Sequence, residues 1–122
     1  MLESRISRYL TLCEDDAALR EFARKRPVVV QYRISDQDIQ FYMALKDGLV
    51  RTGMGPSDSP ATLSLTMGEE TFTGVMDGDI DGTAAALTGD MKFKGDPLKA
   101  MALQKIQKDL NRLWLEAGKD LD

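Results

Sequence analysis

Cys13 is the only thiol in the chain and no histidine accompanies it, so the groups available for catalysis are one cysteine, lysines and carboxylates. Ser-His-Asp and Cys-His nucleophilic catalysis, His-ligated zinc or haem, and imidazole acid–base chemistry near neutral pH are thereby excluded within the chain. A single thiol also rules out an intrachain disulfide and a cysteine metal cluster, and it suits a reducing cytosol. Asp77-Gly78-Asp79-Ile80-Asp81-Gly82 opens like an EF-hand calcium loop. Such a loop closes its coordination shell with a bidentate Glu at the twelfth position, which here is Thr88, and its ninth position is Ala85. A turn carrying helix caps explains the same residues. Glu69-Glu70 and Asp15-Asp16 are adjacent pairs that read as solvated, with nothing to converge them on a bond to be cleaved. No Gly-x-Gly-x-x-Gly or Walker-type loop is present. The sequence therefore points to no cofactor, no metal and no catalytic residue.

Apolar side chains are more informative. The chain has seven methionines, and Met43, Met67, Met76, Met91 and Met101 fall on inward positions of the expected elements. Methionine is flexible and polarizable, so it fills irregular gaps or lines surfaces that adapt to apolar shapes. Core packing and a ligand cavity look the same at this level.

A length of 122 residues gives one domain with a real core, and 43% hydrophobic with 30% charged residues fits a soluble globular protein. Sixteen Lys+Arg against twenty Asp+Glu leave a net charge of −4, which argues against a nucleic-acid partner. No run approaches the ~20 apolar residues of a membrane span. The charged start, Met1 to Ile6, lacks the core of a signal peptide, and Lys119-Asp120-Leu121-Asp122 matches no common address tag. The expectation is a cytoplasmic domain without stable membrane insertion.

The elements follow from periodicity. Leu2, Ile6, Tyr9, Leu10 and Cys13 share one helical face. Asp15-Asp16 caps a second helix through Leu19, Phe22 and Ala23, and Arg24-Lys25-Arg26 closes it before Pro27 as a solvated, dipole-complementing end. Alternation then predicts a strand from Val28 to Ile34, another over Ile39–Lys46, and a returning strand over Leu49–Thr52 after the Asp47-Gly48 hairpin signal. Gly53 to Pro60 reads as a loop and Ala61 to Met67 as a fourth strand. Glu69, Phe72, Val75 and Met76 fit a short helix ending near Gly78, and Asp81 caps another that ends at Gly89. Met91 and Phe93 belong to a short fifth strand. Pro97 opens one long final helix, with Leu98, Ala102, Ile106, Leu110, Leu113, Trp114 and Ala117 as its apolar stripe and Gln104, Lys105, Lys108, Asp109 and Arg112 toward water. The fold class is α+β, with a mainly antiparallel five-stranded sheet whose first three strands form a meander.

Gly89-Asp90-Met91-Lys92-Phe93-Lys94-Gly95-Asp96, followed by Pro97 and a Leu98/Met101/Leu103/Ile106 helix, resembles the sterol carrier protein type 2 family. The small-residue helix Ala84-Ala85-Ala86-Leu87-Thr88-Gly89 precedes it, and Ala61-Thr62-Leu63-Ser64-Leu65-Thr66-Met67 leading into Glu69-Glu70-Thr71-Phe72 looks like the family's fourth strand and following helix. The resemblance covers residues 27–117 and is most specific over 61–106. It implies a lipid-binding domain at 27–122 behind an N-terminal helical extension at 1–26, with helices covering the sheet around an apolar tunnel. That extension would plug the tunnel, form a lid or make an oligomer contact. An acidic, tag-free chain of this length looks like a stand-alone bacterial member. The resemblance carries ligand contact to Phe41, Met43, Leu45, Leu63, Leu65, Met67, Phe72, Met76, Met91, Phe93, Leu98 and Met101.

The function so implied is non-catalytic intracellular binding of a lipid or other long apolar small molecule, whether fatty acyl, acyl-CoA, sterol-like or isoprenoid. Its rival is an accessory module that presents an apolar intermediate to a partner enzyme or forms a homodimer without ligand. An enzyme using Cys13 stands third.

Overall fold

The computed structural model describes residues 2–119. Most of the C-terminal tetrapeptide and Met1 therefore lie outside the described residues. Along the chain run α1 (Leu2–Glu14), α2 (Ala17–Lys25), β1 (Val28–Ile34), β2 (Ile39–Lys46), β3 (Leu49–Met54) and β4 (Leu63–Met67). They are followed by α3 (Glu69–Asp77), α4 (Gly82–Thr88), β5 (Met91–Gly95), α5 (Pro97–Gln104) and α6 (Gln107–Gly118). Three helix starts are set by side-chain caps, while α3 and α6 begin at Gly68 and Ile106 without one. Asp16, Asp81 and Asp96 each accept a backbone N–H from the first turn of α2, α4 and α5.

The strands form one sheet in the order β3-β2-β1-β4-β5, antiparallel throughout except for the parallel β1–β4 pair. Asp47 and Gly48 both take positive φ, the conformation that a two-residue hairpin turn requires. Partners across a ladder share a face. Thus Val30, Tyr32 and Ile34 of β1 lie beside Met43, Phe41 and Ile39 of β2 on one side, and beside Leu63, Leu65 and Met67 of β4 on the other. Met91 and Phe93 of β5 extend the same apolar face. All the helices that touch the sheet stack there: α1 on β3, α2 on β2 and β3, α4 on β5, with α6 packed on α1 and α3.

Two expectations require correction. The returning strand continues through Gly53 and Met54 instead of stopping at Thr52, because Gly53 and Met54 pair with Tyr42 and Phe41. The long final helix is two helices. The chain turns at Lys105–Ile106, where Lys105 N–H donates to Ala102 O and Ile106 N–H to Leu103 O, three-residue bonds that tighten the helix and end it.

The link from edge strand β3 to β4 must cross β2 and β1, and it does so over the outer face of the sheet. Gln31 holds it there. Its Nε2 donates to Phe41 O and Gly55 O, each at 3.1 Å, and its Oε1 accepts from Ser57 N at 2.9 Å. This is why Val29 and Gln31, on the face opposite the helices, are also buried. At the other edge Gly95 has φ +125°, and a Cβ there would stand 2.3 Å from Thr62 O and 3.0 Å from Leu63 Cα. Gly95→Ala is expected to destabilise the fold by about 1–3 kcal/mol in urea unfolding. Gly55→Ala, also at positive φ but with nothing within 4 Å, should cost less. Equal losses would remove the close approach as the cause.

Candidate functional site

The two halves of the sheet are covered differently. Over β2 and β3, α1 and α2 present Ile6, Tyr9, Leu10, Leu19 and Phe22, all buried, and fill the space. Over β4 and β5 the cover is α4 and α5, where the exposed Ala86 and the half-buried Ala100 border the space. Such small side chains leave space beneath them, and a cavity of about 160 Å³ remains. Its floor is Leu63, Leu65 and Met67 of β4, Met91 and Phe93 of β5, and Tyr32 of β1. Phe72, Val75 and Met76 of α3 make one wall. Gly82, Thr83 and Ala86 of α4, Ala100, Leu103 and Gln104 of α5, and Gln107 of α6 make the other.

A run of aromatic rings separates this cavity from the filled half. Tyr32 stacks on Phe41 at 4.7 Å, Phe41 meets Phe72 edge-on at 5.8 Å, Phe72 meets Trp114 at 5.3 Å, and Trp114 meets Tyr9 at 5.6 Å. Tyr32 and Phe72 face the cavity while the others back them. Trp114 is pinned in turn: its Nε1–H donates to Asp77 Oδ1 at 3.1 Å, and the Arg5 guanidinium lies 4.0 Å over its ring. Asp81 is engaged as the helix cap expected of that acidic segment, whereas Asp77 is engaged with the indole, a contact the sequence did not signal.

Polar atoms gather on the helical side. Gln104 Nε2 donates to Thr83 Oγ1, joining α5 to α4. Gln107 Nε2 donates to Asn111 Oδ1 at 2.7 Å and rests 4.0 Å from Met76 Sδ. Burial first, and then Cys13, push the Tyr32 hydroxyl pKa upward, so it stays neutral. Among the described residues lining the cavity, none carries a formal charge at neutral pH.

Cys13 lies outside the cavity, fully buried on α1. Burial raises its thiol pKa from 9.0 to about 12, outweighing the opposing hydrogen bond with Tyr9. A protonated, inaccessible thiol is a poor nucleophile. Iodoacetamide at pH 8 should modify Cys13 only after unfolding. Fast alkylation of the native protein would restore it as a reactive group. Below pH 9 the thiol is neutral in both states. Above that, the unfolded chain ionises it while the folded chain holds the proton, so stability should fall as pH rises from 9 toward 12. Tyr9 and Tyr32, also raised, act in the same direction at higher pH. Urea midpoints from pH 7 to 10 should show the decline beginning near 9 and becoming shallower in Cys13→Ala.

Of the twelve residues expected at a ligand, Leu63, Leu65, Met67, Phe72, Met76, Met91 and Phe93 line this one cavity. Phe41, Met43 and Leu45 are fully buried but do not line it, because α1 and α2 occupy their half of the sheet. Leu98 and Met101 are corrected outright: they are 73% and 66% exposed on the outside of α5. That helix is apolar at every position but Lys99 and Gln104, so spacing alone does not fix its phase, and it buries Ala102 and Leu103 instead. Tyr32, Val75, Thr83, Leu103, Gln104 and Gln107 were missed. Tyr32 and Val75 carried the right periodicity. The two glutamines gave no signal, since a polar residue on an amphipathic helix reads as facing water.

The model of the SCP-2 sterol transfer family matches residues 6–108. Hydroxysteroid dehydrogenase-like protein 2 of Rattus norvegicus is 27% identical over 97 residues, covering 79% of this chain and 18% of that protein. Apo sterol carrier protein 2 from Yarrowia lipolytica superposes with a TM-score of 0.65 at 21% identity, over 84% of this chain and 87% of that one. The stereoselective inverting sec-alkylsulfatase Pisa1 from Pseudomonas sp. superposes at 0.58 and 16% identity, over 77% of this chain and 14% of the enzyme. The chain thus spans less than a fifth of the rat protein and of the sulfatase.

Proposed function

The chain belongs to the SCP-2 sterol transfer family, and from that premise we propose that it binds a lipid or other long apolar molecule, without catalysing its conversion, in the cavity over β4 and β5. The observation that carries this reading is an uncharged cavity floored by leucine, methionine and phenylalanine beside a half-sheet that is otherwise packed solid. Leu63, Leu65, Met67, Phe72, Met76, Met91 and Phe93 are the proposed contacts. Affinity comes from burying the chain, at about 0.8 kcal/mol per methylene.

The cavity volume of about 160 Å³ is below the ~300–1,000 Å³ typical of ligand pockets. A long ligand therefore enters by moving a wall. α4 and α5 are the walls that move, since α4 buries only Ala85 and α5 only Ala102 and Leu103 among their side chains. Their outward shift enlarges the cavity with little loss of core packing.

Native mass spectrometry of freshly purified protein, followed by organic extraction, tests the reading. Adduct mass that leaves with the extract as a lipid supports it. A clean unliganded mass, together with no uptake of neutral or fatty lipids, contradicts it.

The second reading, an accessory module that presents an apolar intermediate to an enzyme, draws on the two long relatives, in which the matching part is a small share of a longer chain. A stoichiometric complex with one enzyme, recovered from cells without bound lipid, would favour it.

A further inference from the structure

We propose that the cavity selects lipids bearing an uncharged hydrogen-bonding head, such as an alcohol, ketone or ester, over ionised carboxylates, with Thr83, Gln104 and Gln107 reading that head. The inference rests on the carrier reading above and narrows its ligand class.

The argument starts from the lining. No cation stands among the described lining residues, so a carboxylate seated there would shed part of its hydration without gaining an ionic partner. Besides Tyr32 in the floor, the polar residues that line the cavity come from three separate helices: Thr83 from α4, Gln104 from α5 and Gln107 from α6. Thr83 and Gln104 are exposed and Gln107 is half-buried, which places them at the mouth above the apolar floor.

Their hydrogen-bonding capacity is only partly used. A carboxamide offers two N–H donors and an accepting oxygen. Gln104 spends one donor on Thr83 Oγ1, while Gln107 spends one on Asn111 Oδ1 and turns the other to Met76 Sδ, a weak acceptor that a ligand oxygen can replace. A hydroxyl or carbonyl head can take up the remaining donors and, for an alcohol, an amide oxygen as well. A head inserted between Thr83 and Gln104 replaces the bond that ties α4 to α5, so recognition and opening of the mouth are the same event.

The surrounding charges do not favour an anion. Asp81, two residues from Thr83, is exposed and engaged as the cap of α4, and it does not line the cavity. Lys105 and Lys108 follow Gln104 and Gln107 closely in sequence but are exposed, and neither lines the cavity. A solvated lysine gains little by pairing with an equally solvated carboxylate.

The test is displacement of Nile red from delipidated protein at pH 8 by decane, 1-decanol, 2-decanone and sodium decanoate. Decanol and decanone should displace the dye at concentrations at least tenfold below decanoate, equivalent to about 1.4 kcal/mol. In the Gln104→Leu/Gln107→Leu double variant, decanol should weaken to within about threefold of decane while decane itself is unchanged. Decanoate binding as well as decanol, with decane still displacing the dye, would overturn the selectivity and leave the carrier reading standing. An unchanged decanol-to-decane ratio in the double variant would overturn the role of the glutamines. Failure of all four to displace the dye would bring down the carrier reading and this inference with it.

Discussion

Phe93→Asp is expected to lower uptake of an apolar probe at least hundredfold, a loss of about 2.7 kcal/mol or more of binding free energy, while leaving the protein folded. Phe93 stands opposite Leu65 in the β4–β5 ladder, and both line the cavity. A carboxylate there puts a charge against a ligand chain that has nothing to pair with it, and the chain is excluded. Phe93 suits the test because it is half-buried on an edge strand, where the new carboxylate keeps access to water in the unliganded protein. Met67→Asp would be less clear, since Met67 is buried and the fold itself would suffer. Phe93→Leu should retain most of the uptake. Folded Phe93→Asp protein that binds the probe normally would move the site elsewhere.

Trp114→Ala should be the most destabilising single change, at about 3–5 kcal/mol. The indole is fully buried, packs edge-on against Tyr9 and Phe72, and supplies the donor for Asp77. Its removal takes the keystone from the aromatic run between the filled and open halves of the molecule. Trp114→Phe, which keeps a ring but drops the indole N–H, should lose roughly 1 kcal/mol through the unpaired Asp77 bond and a further amount through the smaller ring. Because Trp114 is the only tryptophan, urea unfolding must be followed by circular dichroism at the helix band. A loss under about 1 kcal/mol for Trp114→Ala would mean that the two halves are held together by other contacts.

The elements were legible wherever a local pattern has one physical outcome. The alternation of Ile39, Phe41, Met43 and Leu45 can bury only one face of a strand, and Asp47-Gly48 supplies the positive φ values that a two-residue turn needs. The capping aspartates before α2 and α4, and Pro97 at the start of α5, marked helix starts in the same way. Legibility ended where the outcome depends on what lies opposite. Phe41 and Met67 have equivalent patterns, yet one is closed in by the rings of Tyr32 and Phe72 and the other lines a cavity, because what lies opposite differs. Leu98 and Met101 were misplaced because an apolar helix of eight residues has no distinct face, and the turn at Lys105–Ile106 breaks the stripe that seemed to fix its phase. Gln31 shows the converse. Nothing local marks this polar residue for burial, and the crossover it pins buries it.

The central claim is that an apolar ligand occupies the space over β4 and β5, and the chain's own methionines report on it. Met67, Met76 and Met91 line the cavity, Met43 is buried away from it, and Met54 and Met101 are exposed elsewhere. The measurement is a titration of protein carrying 13C-labelled methionine methyls with 1-decanol, followed by NMR. The account predicts that the methyl signals of Met67, Met76 and Met91 shift together and saturably, while those of Met43 and Met54 hold still. Shifts confined to Met54 and Met101, or a signal of Met43 that moves while the three cavity methyls do not, would contradict it.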